Sequence, residues 1–240
     1  MTPDTLYFVH VPKTAGRYLV VRALKHELVE GRHLPPGGLY RGNPTGRVHY
    51  GGHNVCHSDP RSPIQYFVHD CTQDPEFATS HSFAIVRNPF DLLVSMFTAR
   101  WPYQPKIHPH TFDDFGDFVR AYCDPEFAWA VPLQKEFLFF QLVNDEGRCA
   151  VDTLCRFEHL DDDLEALCAP FGIEPVRADP FRPSLRDRDY RSFYTDDLRE
   201  RVEAKCAREL SQLGYDFDGR CAPLDPAALD FTIPRSAEAA

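Results

Sequence analysis

The spacing of apolar residues changes within the first thirty positions of the chain. A mainly apolar, β-prone run over residues 6–11 stops at Pro12, and a lysine, a threonine and a glycine follow closely. Beyond them the apolar residues recur at helical spacing, at Leu19, Val20, Ala23, Leu24 and Leu28. This change of period predicts a strand, a tight turn and a helix in direct succession.

The same pattern returns near the middle of the chain. Residues 82–86 form a short apolar run that is typical of a buried parallel strand. Asn88 and Pro89 then suit the cap and the first position of a helix. The buried face of that helix is expected to carry Leu92, Leu93, Met96 and Phe97.

Weaker patterns complete the predicted fold. They indicate strands at 64–68 and 151–157, and helices at 112–122, 133–142, 161–168 and 195–213. The segment 31–63 is rich in glycine, proline and histidine and is predicted to be a long loop. Alternating strands and helices predict an α/β fold of three layers, P-loop-like, with a central parallel sheet flanked by helices. We expect a single domain over 1–221 and a peripheral tail over 222–240.

The first predicted turn has the residues of an anion site. The N–H groups at a helix N-terminus attract negative charge. Lys13 adds a positive charge, Thr14 adds a hydroxyl donor, and Gly16 lets the backbone approach a ligand closely. The alternative is an ordinary strand-to-helix turn with an exposed lysine.

The second predicted strand-to-helix junction also carries candidate anion ligands. Arg87 directly follows the strand, and Ser95 lies eight residues further on, about 10 Å along the helix. An arginine and a hydroxyl on one side of a helix could share one phosphate group. The alternative is a capping arginine with a serine that is merely tolerated within the helix.

Composition limits the classes of function. The net charge of −10 argues against a general nucleic-acid binder, although a local basic pocket for a phosphorylated small molecule is compatible with it. We find neither a signal peptide nor an apolar run long enough to span a membrane. The eight cysteines form no CxxC pair, which favours a reduced, cytoplasmic protein over a disulfide-bonded one.

Together, Val-Pro-Lys-Thr-Ala-Gly at 11–16 and Ile-Val-Arg-Asn-Pro-Phe-Asp-Leu-Leu-Val-Ser at 85–95 resemble the paired signatures of the sulfotransferase superfamily. These enzymes use 3′-phosphoadenosine 5′-phosphosulfate (PAPS) and release 3′-phosphoadenosine 5′-phosphate (PAP). The resemblance implies that the 5′-phosphosulfate is held by Lys13, Thr14, Ala15, Gly16, Arg17 and Tyr18. It implies that Arg87 and Ser95 hold the 3′-phosphate, and that no metal is required.

Further segments are similar to carbohydrate-type and heparan-type members of that superfamily. They are Arg-Phe-Glu-His-Leu at 156–160 and the region from Asp189 to Phe217. The chain departs from the family at Arg17, where threonine or serine is common. It also lacks the glycine-rich adenine-side loop of the small-molecule enzymes, and Ser184 is our candidate for the polar contact there.

Sulfuryl transfer needs a base for the acceptor proton and a positive charge at the departing phosphate. Lys13 suits the second role. For the base we select His53, because carbohydrate-type members carry a Gly-His between the two motifs, with His57 and His49 as alternatives. His69, Asp70, His108 and His110 also stay open. There are two competing interpretations. One is a metal site formed by His49, His53, Cys56 and His57, whose spacing suits metal ligands. The other is a purely structural role for His53.

Two other classes of function stay open beside the sulfotransferase. A nucleoside or small-molecule kinase of the P-loop type should show GxxxxGK[ST] and an acidic magnesium ligand after a buried strand. Here no glycine array precedes Lys13, and the run at 82–86 is followed by Arg87 rather than by an aspartate. A non-catalytic PAP-binding module would lack a working base. The expected acceptor is a small molecule or a glycan, and carbohydrate, lipid, peptide tyrosine and secondary metabolite all stay open. The segment 101–112 is a candidate for an aromatic acceptor cleft, with a packed surface loop as the alternative.

Overall fold

The structure is a computed structural model. It describes residues 3–11, 13–29, 43, 45–51, 71, 74–98, 112–126, 142, 144, 147–177, 189–222 and 224–230, with the Arg17 side chain left out.

A four-stranded sheet forms the middle layer of the described fold. Its strands are β1 (Leu6–Val9), β2 (Val48–Gly51), β3 (His81–Val86) and β4 (Thr153–Arg156), in the order β2-β1-β3-β4. Each neighbouring pair is parallel. The carboxyl ends of all four strands therefore meet at one edge of the sheet.

Helices cover both faces of this sheet. They are α1 (Gly16–Tyr18), which continues as a π-helical segment (Leu19–Ala23), α2 (Pro75–Thr79), α3 (Pro89–Thr98), α4 (Phe115–Cys123), α5 (Leu160–Cys168), α6 (Asp196–Lys205) and α7 (Ala207–Leu213). Short 3-10 turns occupy Lys25–Glu27, Phe157–His159, Ala169–Phe171, Tyr190–Phe193 and Pro226–Ala228.

The strands send alternate side chains into two apolar cores. Leu6, Phe8, Phe83 and Ile85 pack with the helical segment after β1 and with α5. Tyr7, Val9, Ala84 and Val86 pack with α3, α4, α6 and α7. A parallel sheet that is buried on both faces produces this distribution. The α/β fold with a central parallel sheet, predicted from the sequence, is confirmed.

Several elements differ from their predicted form. β2 lies within the segment predicted to be a long loop, because a four-residue strand with only Val48 and Tyr50 as large apolar residues gives a weak signal. The helix predicted over 195–213 is divided at Cys206 into α6 and α7. Leu28 leaves the predicted helix and forms an isolated bridge with Val48. The predicted strand at 64–68, and the predicted helix at 133–142 apart from Leu142, lie outside the described residues.

Residues 224–230, within the predicted peripheral tail, pack against the domain. Leu229 is 4% exposed and belongs to the core on the α3 side. The Asp230 amide donates to Gln212 Oε1 at 3.1 Å. Burial of Leu229 in the apolar core is therefore the physical reason that this segment packs against the rest of the described chain.

Within the described residues, no helix is long and apolar enough to cross a membrane. Seven cysteines are described, and all are free thiols. Burial raises the pKa of the Cys123 thiol to about 11 and that of the Cys168 thiol to about 12.

Candidate functional site

Residues 13–16, which we call the anion loop, connect β1 to α1 at the carboxyl edge of the sheet. Lys13 and Ala15 both have left-handed backbones, with φ of 68° and 76°. Left-handed conformations in residues other than glycine store strain and concentrate at functional sites. Turns that combine left-handed and helical residues present successive N–H groups to an anion. The backbone of the anion loop therefore has the conformation of an anion-binding turn.

The side chain of Thr14 contributes to this turn from the inside. It is fully buried, and its hydroxyl donates to the Val11 carbonyl at 2.8 Å. The first helical hydrogen bond runs from the Leu19 amide to the Ala15 carbonyl at 3.1 Å. The Thr14 hydroxyl proton thus closes the turn and is engaged within the protein.

Lys13 is a cation without an anionic partner among the described residues. Its side chain is half-buried. Burial first, and the positive charge of Arg87 second, lower the pKa of the Lys13 ammonium. A desolvated ammonium without a counter-charge is unfavourable, and a nearby guanidinium adds repulsion. The Lys13 ammonium therefore favours a negatively charged ligand at the anion loop.

Arg87 connects the two motifs that are predicted from the sequence. Its guanidinium binds the Asp91 carboxylate, with Nε donating to Oδ2 at 2.7 Å, and both side chains are more than nine-tenths buried. Its NH1 group donates to the Lys13 carbonyl at 3.0 Å. The guanidinium carbon also lies 3.9 Å from the centre of the Phe157 ring. Three contacts of different kinds therefore fix this side chain, and one of them joins it to the anion loop.

The order of the strands explains why these motifs meet. From β1 the chain passes to β2 at one side of the sheet, and β3 then returns to the other side of β1. A crevice forms where the strand order reverses, outside the carboxyl ends of the two strands, and ligands of open α/β sheets bind there. Lys13 follows β1 and Arg87 follows β3, so both lie at that reversal.

The other residues predicted from the sequence have different surroundings. Ser95 lies on the buried side of α3 and is 9% exposed. The Tyr18 hydroxyl donates to Asp161 Oδ1 at 3.0 Å, which joins α1 to the start of α5. The backbone of Arg17 belongs to α1. The ring of His49 stacks on Tyr7 at 6.3 Å, on the α3 side of the sheet.

Several predicted site residues lie outside the described residues. They are His53, His57 and Ser184, with Cys56, His69, Asp70, His108, His110 and the segment 101–111. Their roles stay predictions. The described residues contain no group of three potential metal ligands.

A network of hydrogen bonds supports the second motif from the side of β4. Glu158 accepts from the Asn88 amide at 2.7 Å and from the Tyr215 hydroxyl at 2.9 Å. The Asn88 side chain donates to the Asp216 carbonyl at 2.8 Å and accepts from the Phe90 amide at 3.0 Å. The start of α3 is therefore fixed by two distant segments of the chain.

Sequence reasoning missed several residues of this site. Asp91 is four positions after Arg87 on a predicted helix, a spacing typical of an ion pair, so the sequence contained that signal. Phe157 and Glu158 were noticed only as part of a resemblance. The buried hydrogen bond between His10 Nδ1 and the Tyr50 hydroxyl, 2.7 Å long, was missed because it depends on the pairing of β1 with β2.

No protein-family model matches the chain, and no curated protein matches it at a significant level. Among solved structures, the chain is similar to mouse sulfotransferase SULT7A1 complexed with PAP. The two share 15% sequence identity with a TM-score of 0.47, over 86% of this chain and 84% of the mouse enzyme. A similarity this distant does not transfer an activity from the mouse enzyme to this chain.

Proposed function

We propose that the protein is a PAPS-dependent sulfotransferase. The observation that carries this proposal is the meeting of Lys13 and Arg87 at the reversal of strand order. Lys13 is half-buried beside a second cation, in a strained turn of the anion-binding type. A ligand with phosphate groups at two ends matches this arrangement, and the residues of both motifs resemble the PAPS signatures of the superfamily.

In this proposal the anion loop holds the 5′-phosphosulfate. The backbone of residues 13–16, with Arg17 and Tyr18, surrounds the 5′ end, while Lys13 stands at the oxygen that bridges sulfur and phosphorus. Arg87 and Ser95 hold the 3′-phosphate. Ser184 closes the adenine side. The preorganised contacts of Arg87 support this role, because a guanidinium that is already oriented loses little entropy when a phosphate binds.

The reaction is an in-line transfer with no covalent enzyme intermediate and no metal. The acceptor oxygen or nitrogen attacks sulfur, the bond between sulfur and the bridging oxygen breaks, and PAP departs with both electrons of that bond. The Lys13 ammonium stabilises the negative charge that develops on the bridging oxygen. His53 is the base that removes the proton from the attacking hydroxyl or amine. The acceptor is a small molecule or a glycan in this proposal, with a carbohydrate hydroxyl as the first candidate and the cytoplasm as the site of action.

Ligand-dependent thermal stability tests this function. PAP or PAPS without metal should raise Tm, because a ligand at about a hundred times its Kd adds about 2.7 kcal/mol to the free energy of unfolding. ATP and GTP, with and without magnesium, are the comparison ligands. Stabilisation by ATP with magnesium but not by PAP would overturn the sulfotransferase and favour a kinase.

PAP and adenosine 5′-phosphate, which differ only in the 3′-phosphate, test which residues hold the 3′ end of the nucleotide. Ser95→Ala should weaken PAP binding at least about tenfold, the expected effect of one lost hydrogen bond to a charged group, and leave adenosine 5′-phosphate binding unchanged. Equal losses for both ligands would contradict the 3′ assignment.

The transfer step needs its own measurement. PAP release from PAPS, measured with a panel of oligosaccharide and small-molecule acceptors, should depend on His53, and His53→Ala should lose turnover while it keeps PAP affinity. PAP binding by wild type without turnover on any acceptor would favour a non-catalytic binding module.

A further inference from the structure

His10 is a buried histidine that the roles described above do not use. It directly follows β1 and is 6% exposed. Its Nδ1 shares a hydrogen bond of 2.7 Å with the hydroxyl of Tyr50, which is 5% exposed and belongs to β2. Its ring stacks on Phe8 at 5.5 Å, and its amide donates to the Gly51 carbonyl at 3.1 Å. The ring and the backbone of His10 thus both form hydrogen bonds with residues at the end of β2.

The imidazole lies directly against the anion loop. A Cβ atom built on Gly16 would fall 1.9 Å from His10 Nε2 and 2.1 Å from its Cδ2. Such distances are shorter than any side chain tolerates, so Gly16 has no substituent because the imidazole occupies that space. The last residue of the anion loop therefore rests on the Nε2 edge of the ring.

Simple packing does not account for a polar pair at this position. An apolar ring of similar size would fill the same space beside Phe8 without the desolvation of an imidazole and a hydroxyl. The hydrogen bond between the Tyr50 hydroxyl and Nδ1 determines the rotation of the imidazole. That rotation directs the Nε2 edge towards Gly16, next to Ala15 with its strained φ of 76°.

We propose that His10, oriented by Tyr50, is a positioning residue for the anion loop. It supports Gly16 from below and so places the amide groups that would hold the 5′ end of the nucleotide. Through Tyr50 it also connects the anion loop to the end of β2, two residues before the predicted base His53 in sequence. The binding of a nucleotide at this loop rests on the proposed function, whereas the contact between His10 and Gly16 does not.

Two tyrosine-to-phenylalanine substitutions form a matched test. Tyr50→Phe removes the hydroxyl that orients His10. Tyr7→Phe removes a hydroxyl that donates to Asp74 at 3.1 Å, from the neighbouring strand and the opposite face of the sheet. We expect Tyr50→Phe to weaken PAP binding about three- to tenfold, and Tyr7→Phe to change stability alone. Equal PAP affinity in Tyr50→Phe and Tyr7→Phe would overturn the proposal.

A double variant tests the contact itself. Gly16→Ala forces a methyl group against the imidazole and should weaken PAP binding more than tenfold. His10→Ala makes room for that methyl group, so the double variant should bind PAP no worse than Gly16→Ala alone. Independent losses that multiply in the double variant would contradict a direct role of His10 in placing Gly16.

Amide hydrogen exchange separates this inference from the proposed function. Tyr50→Phe and His10→Gln should speed exchange at residues 14–16 in the ligand-free protein, and Tyr7→Phe should not. Faster exchange together with absent PAP binding in wild type would support the role of His10 and reject the nucleotide. Unchanged exchange in both variants would reject the role of His10, whichever ligand binds.

Discussion

Lys13 combines two unfavourable features in the ligand-free protein. Its backbone is left-handed, and its half-buried ammonium lies near the Arg87 guanidinium. Neither feature improves the stability of the fold. Both are explained if the residue is maintained for an anion that the protein binds, since a bound phosphate would compensate the Lys13 charge, whereas Asp91 already compensates Arg87.

Replacement of Lys13 by methionine should therefore separate stability from binding. Lys13→Met keeps most of the side-chain volume and removes the charge, so Tm should stay the same or rise by about 2–4 °C. PAP affinity should fall at least tenfold, because a charge-assisted contact is lost. Calorimetry and titration of PAP measure the two effects. A variant that loses stability while it keeps PAP affinity would show that Lys13 is structural.

The pH dependence of PAP binding gives a second prediction for Lys13. Burial and Arg87 lower its pKa in the folded protein from the ordinary 10.5. Between the lowered pKa and 10.5 the unfolded chain binds more protons, so this group makes the ligand-free protein more stable as the pH rises. The cation that binds PAP disappears over the same range.

PAP affinity should therefore weaken as the pH rises, beginning below 10.5. Lys13→Arg is the control, because a guanidinium stays protonated throughout that range and its affinity should stay level. Titrations at several alkaline pH values measure both proteins. Parallel curves for wild type and Lys13→Arg would assign the pH dependence to another group.

At the scale of elements, the Arg87 motif depends on segments that are distant in sequence. Glu158, after β4, accepts hydrogen bonds from the Asn88 amide at the start of α3 and from the Tyr215 hydroxyl after α7. Burial raises the pKa of Tyr215 above its ordinary value, so its hydroxyl keeps the proton that it donates. One carboxylate thus joins β4, α3 and the segment after α7.

Replacement of Glu158 by glutamine should loosen this junction. The amide nitrogen of Glu158→Gln is a donor, so one of the two donors that face Glu158 loses its acceptor, at a cost of about 1–3 kcal/mol in the free energy of unfolding. We also expect weaker PAP binding, because Arg87 precedes Asn88. Urea unfolding and PAP titration measure these effects.

Tyr215→Phe is the matched comparison for that substitution, since it keeps the carboxylate that accepts from the Asn88 amide. It should lower PAP affinity less than Glu158→Gln does. The reverse order would contradict the role given to Glu158.

The strand-to-helix junctions were predictable from sequence, because β1 and β3 are short apolar runs that end at residues with distinctive roles. Lys13 and Arg87 were predicted together only through a family resemblance. Their contact depends on β3 lying next to β1, and strand order is a non-local property. The His10–Tyr50 pair depends on the parallel register of β1 and β2, which a weak β2 signal conceals.

At the scale of the whole molecule, the strongly acidic chain concentrates cations where its strand order reverses. The net charge is −10, yet Lys13 and Arg87 meet at the edge of the sheet. The helical segment after β1 covers one face of the sheet, and α3 and α4, between β3 and β4, cover the other. This arrangement leaves the carboxyl ends of β1 and β3 side by side at the edge where ligands of open α/β sheets bind.

The C-terminal segment completes the core on the α3 side of the molecule. Leu229 is buried in that core, and the Arg156 guanidinium binds the Leu213 and Ala222 carbonyls. A chain that ends at Ala222 keeps the acceptors of Arg156 but exposes the surface that Leu229 covers. It should lose at least about 1.5–3 kcal/mol of unfolding free energy, the value of burying the Leu229 side chain, because the partly buried Leu224 is removed with it.

A chain that ends at Asp230 is the matched control for this truncation and should keep the stability of the full chain. PAP affinity should be equal in the three chains, because the residues that we assign to the nucleotide lie in other segments. Urea unfolding and PAP titration of all three distinguish the outcomes. Equal stability of all three chains would support the prediction that 222–240 is a peripheral tail. A loss of stability only in the chain ending at Ala222 would show that the folded domain continues to residue 230.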